Sequence, residues 1–354
     1  MTNEITVVGG VDTHTDVHQA AVVDSIGRHL ATKAFPTHPA GCLRLLEWLR
    51  SQGELTAVGV EGTGAYGAEL ARVLKANRIT VVEVDRPDRR ARRTHGKSDP
   101  VDAYAAAAAV LSGRAAGVPK TRNGIVEAIR SLRVVRRSAV KSRTQTTNQI
   151  HNLVVTAPGD VREQLRGLPR KELIDRLARS RPTGLVADPA HAVRVALRRL
   201  ARRHRHLTAE FTEADAELRP LVGRGAPELV ALPGIGTETA AQLPITTGDN
   251  PDRLGSEASF AHLCAAAPIP ASSGRTHRHR LNRGGDRQAN NALHMIAIVR
   301  MRHDTRTQEY VARRVTEGLS KKDILRCLKR FIAREVYKHL TRQHTTPKTL
   351  PQTA

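Results

Sequence analysis

Between residues 5 and 84, short apolar runs alternate with helical-period segments. The runs are "ITVVGGVD" ending at Asp12, "VHQAAVVD" and "HLATKAF" around the turn "SIGR", "LTAVGVEG" reaching Glu61, and "ITVVEVD". Apolar runs of this length, bounded by turn residues, predict strands. "PAGCLRLLEWLRSQ" places Leu43, Leu46 and Leu49, with Trp48, on a helical face, and "GAELARVLKANR" reads the same way. The order β-β-β-α-β-α-β implies a mixed sheet with helices on its faces. "AYAAAAAVL" continues it as a helix, because alanine is the best helix former and no breaker comes before Gly113.

The rhythm changes at residue 119. "IVEAIRSLRVVRRSAVKSRTQTTNQIHNLV" puts Ile125, Ile129, Leu132, Val135 and Ala139 on one stripe, and "APGD" breaks it. From 190 to 219 the positions Val193, Leu197, Leu200, His204, Leu207, Phe211, Ala214 and Leu218 alternate by four and three, a heptad seam. An antiparallel hairpin within one chain and a coiled coil between two copies both satisfy that seam. His204 within it is expected to set register. A third block opens on "LVALPGIGTETAAQLP" and closes on the basic helix "KKDILRCLKRFIAREVYKHL". The expected division is an α/β domain over 1–118, a basic helical linker over 119–222, a mainly helical domain over 223–342 and a disordered tail over 343–354.

Charge narrows the partners. The 354 residues carry 57 Lys plus Arg against 34 Asp plus Glu, net +23, and the excess runs along the whole chain. That predicts a polyanion, nucleic acid first and an anionic membrane surface second. At 3% aromatic residues the chain lacks base-stacking platforms, so phosphate contacts to duplex DNA or structured RNA fit better than single-strand binding. Cys42, Cys264 and Cys327 are far apart and show no zinc spacing, which points to a reducing compartment. "MTNEITVVGG" carries no signal pattern and no apolar run reaches a membrane span, so the expectation is a cytoplasmic protein that does not enter a membrane.

The chemistry centres on "RRARRTHGKSDPVDAYAAAA". Pro100 fits the first helical position, which places Asp99 at the N-cap and Asp102 three residues later. Both acids have an ordinary reading as helix-start residues. They also share one helix face. Asp12 and Glu61 end two strands that can open on one sheet edge, and the alanine helix can carry Asp99 and Asp102 to it. Four such carboxylates repel unless cations intervene. Oxygen donors suit Mg²⁺ or Mn²⁺, and a pair of ions suits phosphoryl transfer. The arginines of the preceding bank, Arg89, Arg90, Arg92 and Arg93 among them, would hold a negatively charged substrate nearby.

The series "GVD…VEGTGAY…GKSDPVDA" resembles the DEDD-type insertion-sequence transposases of the IS-one-ten family, whose relatives include the Piv invertases. "LPGIGTETA" is similar to the helix-hairpin-helix-like opening of that family's C-terminal domain, and "PIPASSG" with "NRGGD" to its serine motif. The resemblance implies an α/β plus α protein: an RNase H-like (RuvC-type) mixed-sheet domain, a long helical or coiled-coil linker and a mainly helical C-terminal domain. It implies a transposase that cuts and rejoins DNA. Asp12, Glu61, Asp99 and Asp102 would hold two Mg²⁺ or Mn²⁺ ions, and Ser273 would be the nucleophile. Counted from Pro268 the pattern selects Ser273; Ser272 stays open. Implied partners are donor and target DNA, a structured non-coding bridge RNA that guides the recombinase, and further copies of the chain as a dimer or tetramer. Candidate nucleic-acid contacts are Arg133, Arg136, Arg137, Arg199 and Arg203 in the linker, and Gly234, Gly236, Arg275, Arg278, Arg280 and Arg283 in the third block. A metal-dependent junction resolvase with water as nucleophile, and a non-catalytic nucleic-acid scaffold, are the competing readings.

Overall fold

The computed structural model describes residues 5–84, 98–276 and 278–345. The chain divides into two compact units. One comprises Met1–Arg122 with Thr247–Phe260 and His344–Ala354, the other Asn123–Thr246 with Ala261–Gln343. Most of the expected tail, residues 346–354, lies outside the described residues. Among the described residues no helix is long and apolar enough to cross a membrane.

In the first unit the strands are β1 (Thr6–Thr13), β2 (Val17–Asp24), β3 (His29–Pro36), β4 (Glu54–Glu61) and β5 (Thr80–Val84). Helix α1 (Pro39–Arg50) precedes β4 and α2 (Ala68–Ala76) precedes β5. Helix α3 (Asp99–Leu111) follows. The sheet order is β3-β2-β1-β4-β5, antiparallel through β3, β2 and β1, and parallel through β1, β4 and β5. This is the RNase H-like arrangement that the resemblance implies.

The two faces of the sheet are built differently. On one, Val7, Val11, Ala20, Val22, Val58 and Val60 meet Leu45, Leu46, Leu49, Leu70 and Leu74 of α1 and α2 in the main core. On the other, Val8 and Val23 pack with Ala107 of α3. Here Gly10 of β1 stands beside Gly59 of β4 in parallel register. A Cβ on Gly10 would lie 2.1 Å from the Ala103 carbonyl oxygen, and one on Gly59 would lie 2.7 Å from Val110 Cγ2. Paired glycines below and alanines above let the helix backbone rest almost directly on the strands. The alanine run therefore does more than favour a helix: it makes α3 thin enough to sit there.

Residues 247–260 complete this unit. Arg253 donates from Nε to the Thr247 carbonyl (2.8 Å) and from Nη1 to the Val118 carbonyl (2.7 Å), with Glu83 Oε2 at 3.9 Å. Asn250 accepts from the Thr121 amide and donates to the Pro119 carbonyl. Burial, with the Arg253 charge beside it, lowers the pKa of Lys75, whose Nζ also reaches the Pro119 carbonyl.

The second unit is helical. Its centre is a pair of long helices, α4 (Ile125–Thr156) and α7 (Pro189–Gly225). They run antiparallel: Ile129 lies against Gly225, Arg136 pairs with Asp215, and Ile150 packs with Leu197 and Ala201. The heptad seam thus packs within its own chain, burying Leu197, Leu207, Ala214 and Leu218, which is the hairpin of the two arrangements open at the sequence level. Phe211 is held between the guanidinium groups of Arg136 and Arg143, each 4.8 Å from the ring centre. Short helices α5 (Gly159–Leu165) and α6 (Arg170–Arg179) cap one end through Val161, Leu165, Ile174 and Leu177.

The one-turn helix α8 (Pro227–Val230), the turn through Gly234 and α9 (Thr237–Thr247) form the "LPGIG" region. α10 (Glu257–Leu263), the two-stranded ribbon β6 (Ile269–Pro270) and β7 (His279–Arg280), and helices α11 (Arg287–His303), α12 (Thr305–Thr316) and α13 (Lys321–Thr345) follow.

Candidate functional site

Asp12 is the next-to-last residue of β1, and Glu61 ends β4. The strands are parallel and Val11 pairs with Val60, so both acids leave the sheet at one edge. Thr13 stitches that edge by donating its hydroxyl to the Glu61 carbonyl at 2.7 Å. The close seating of α3 brings its first turn to the same place. Asp12 and Asp102 are buried, 7% and 3% exposed, whereas the Asp99 side chain is half exposed. Burial raises the pKa of Asp12 above the usual carboxylate value. His14 opposes that shift, and the negative charges of Asp102 and Asp99 reinforce it.

The cap of α3 differs from expectation by one residue. Ser98, extended at φ −150° and ψ 150°, is the N-cap, and its carbonyl accepts from the Asp102 amide at 3.1 Å. Asp99 and Pro100 are therefore the first two helical residues and Asp102 the fourth. Proline is tolerated at either position because neither amide has a partner inside the helix. The shift leaves Asp99 and Asp102 three apart on one face.

His14 was not singled out from the sequence. Its Nε2 lies 3.0 Å from Asp12 Oδ2 and 3.5 Å from Asp99 Oδ1. Ligand atoms of Asp12, His14 and Asp99 all fall within 4.8 Å of one another. The signal was present, since positions two apart at a strand end project to the same side. A buried carboxylate with others converging on it has the donor chemistry a divalent cation needs. Arg89, Arg90, Arg92 and Arg93 lie outside the described residues.

In the helical unit the predicted contacts separate. Arg133 and Arg136, expected on a nucleic-acid surface, turn inward instead. Arg133 is 7% exposed and pairs with Glu238 at 2.5 Å, donating also to Gln288 Oε1. Arg136 bridges Asp215 (2.8 Å) and Glu238 (2.7 Å). The acid within α4, Glu127, pairs with Arg130, so the inward arginines draw their partners from α7 and α9. Desolvation lowers the pKa of Arg133 although Glu238 offsets part of it. Arg137 is exposed beside Gln288, and Arg199 and Arg203 are exposed on α7. No acid occurs from Pro189 to Ala209 around them.

Ser273 sits at the tip of the β6–β7 ribbon. Its amide donates to the Thr276 carbonyl (3.1 Å), and the Thr276 amide donates back to its carbonyl (3.0 Å). Gly274, at φ +55°, supplies the left-handed residue that so tight a turn requires. Ser272 Oγ accepts from the Arg278 amide at 3.3 Å and so belongs to the ribbon's internal bonding. Ser273 is exposed, as are Arg275, Arg278, Arg280 and Arg283. The foot of the ribbon is fixed by Asn282, whose amide donates to the His262 carbonyl at 2.7 Å, and by Asp286, which caps α11. Gly234 turns at φ +73° against Arg300, and Gly236 is exposed.

Two family models match this sequence. A DEDD-type IS110 transposase model covers residues 9–157, and a model described as the transposase IS116/IS110/IS902 family covers 226–312. The first spans β1 through α4 and includes all four acids; the second spans the "LPGIG" turn and the serine ribbon. The chain is also similar to an IS110 insertion-element protein of 43.6 kDa from Streptomyces coelicolor, described as uncharacterized, at 34% identity over 94 residues. That alignment covers 26% of this chain and 23% of the relative.

Proposed function

Because the chain belongs to the IS110/IS116/IS902 family of insertion-sequence transposases, we propose that it cuts and rejoins DNA strands through a serine nucleophile assisted by the acidic edge of its sheet. The observation that carries this reading is the arrival of Asp12, Asp99 and Asp102 at one edge with Glu61 on the adjacent strand end. Divalent ions bound there would neutralise the carboxylates and stabilise charge on the reacting phosphate. Asp12 and Asp102, sunk in the fold, are held in place; Asp99, half exposed, faces the side from which a phosphate arrives.

Ser273 Oγ attacks a backbone phosphorus, forming a phosphoserine bond as the P–O bond to one sugar breaks. The hydroxyl proton ends on the departing sugar oxygen. One phosphodiester is exchanged for another, so attack by a new sugar hydroxyl can rejoin the strand without an outside energy source. Both serines are exposed, and Ser273 is favoured because it stands at the ribbon tip while the Ser272 hydroxyl accepts the Arg278 amide. Arg275, Arg278, Arg280 and Arg283 flank it as phosphate contacts, with Arg137, Arg199 and Arg203 as the corresponding surface on the hairpin. Sequence is read by pairing with a bridge RNA, as in guided systems where protein reads backbone and shape. The excess of positive charge with few aromatic residues supports that division of labour. The working form is an assembly of several copies.

Two experiments test this. Asp102→Asn should stop strand cleavage in Mg²⁺ while DNA and RNA binding survive; full cleavage by the variant would remove the metal-site reading. Trapped reactions should contain a protein–DNA adduct that Ser273→Ala abolishes. Cleavage with no adduct would instead favour a water nucleophile.

A further inference from the structure

We propose that His14 is a nitrogen ligand to the ion held by Asp12 and Asp99, and that it makes this position accept a first-row transition ion such as Mn²⁺ in preference to Mg²⁺. The inference rests on the metal-site reading above and goes beyond its four carboxylates.

The spacing is the first support. Donors at neighbouring corners of an octahedron, each ~2.1 Å from the ion, stand about 3.0 Å apart. His14 Nε2 is 3.0 Å from Asp12 Oδ2 and 3.5 Å from Asp99 Oδ1. The three side chains already stand almost as ligands of one ion would, and small rotations complete the arrangement.

Placement is the second. His14 follows β1 directly, so its backbone is fixed by the strand and by the Thr13 bond to β4. Its ring bridges a buried acid from the sheet and a half-exposed acid from the first turn of α3. With its side chain 50% exposed, it leaves the outer side of the ion open to water or a phosphate oxygen.

The chemical consequence follows from ligand type. Mg²⁺ favours oxygen ligands and gives up its waters reluctantly. Imidazole suits first-row transition ions far better. One nitrogen among carboxylates therefore shifts preference toward Mn²⁺ at this position. The alternative is a hydrogen bond between His14 and the two acids that an entering ion simply displaces.

The test uses the full chain and Mn²⁺ alone, without nucleic acid. Pulsed electron paramagnetic resonance of the Mn²⁺-loaded protein should show nitrogen modulation from a directly bound imidazole. His14→Ala should abolish that modulation, whereas His38→Ala, in the cap of α1, should leave it unchanged. Mn²⁺ affinity should fall at least ~10-fold in His14→Ala, and Mg²⁺ affinity much less. Bound Mn²⁺ without nitrogen modulation in the unaltered protein would overturn the proposal, and that measurement depends on no variant folding. Modulation that persists in His14→Ala would overturn it as well. Asp12→Asn separates the two levels of argument. If it loses Mn²⁺ while the unaltered protein shows no nitrogen, only the His14 assignment falls. If it binds Mn²⁺ as tightly as the unaltered protein, the metal-site reading falls too.

Discussion

Gly10→Ala should disable the acidic site while leaving the protein folded. The new Cβ would lie 2.1 Å from the Ala103 carbonyl oxygen and 2.4 Å from the Ala107 amide nitrogen, both helix backbone atoms. No rotamer change relieves such a contact. To restore a carbon–oxygen separation of ~3.3 Å, α3 must retreat by about 1.2 Å. Overpacking of this kind costs ~1–3 kcal/mol. The retreat also carries Asp99 and Asp102 away from Asp12, and a misplacement of about 1 Å can cost on the order of 100-fold in rate. Gly9→Ala is the matched control. Its Cβ would face the other side of the sheet, 3.1 Å from Leu49 Cδ2 and 3.3 Å from Val58 Cγ2, where side-chain tips can yield. Cleavage of the element's end DNA in Mg²⁺, followed with thermal melting of both variants, gives the comparison. Gly10→Ala should lose activity by about two orders of magnitude and Gly9→Ala should stay near the unaltered level. Equal cleavage by the two variants would refute the idea that the glycine contact sets the position of α3.

Two further outcomes concern the helical unit. Glu238→Ala should destabilise that unit by ~3 kcal/mol, because it leaves buried Arg133 without its charge partner, and denaturant melts measure this. Replacing Arg199 and Arg203 with Ala should leave stability within ~0.5 kcal/mol but lower the salt slope of duplex binding by about 2, near one per lost phosphate contact.

The strands and their shared edge were legible because their apolar runs are short and cleanly bounded, and because Asp12 and Glu61 both fall at run ends. The helix start was legible to within one residue. Ser98 and Asp99 are equally good caps, and Pro100 tolerates either assignment, so pattern alone could not choose. The fate of Arg133 and Arg136 was hidden for a different reason. Nothing within α4 marks two of its arginines as inward, since their partners Asp215 and Glu238 lie 79 and 102 residues from Arg136. The hairpin and the coiled coil bury the same seam residues, so only the packing of α4 against α7 decided between them. His14 was overlooked beside the carboxylates, although its spacing from Asp12 already placed it on their side.

The docking of residues 247–260 onto the N-terminal unit sets an order of events during synthesis. Arg253 and Asn250 supply bonds that the Val118–Thr121 backbone cannot make until their codons have been read. At ~5–20 residues per second, the chain after Arg122 takes roughly 6–25 s to reach them. Through that interval the acidic edge exists on an unfinished body. Under the function proposed above such a delay would be protective: a nascent chain, or one cut short by a premature stop before Thr247, carries all four acids without the bonds that Asn250 and Arg253 supply.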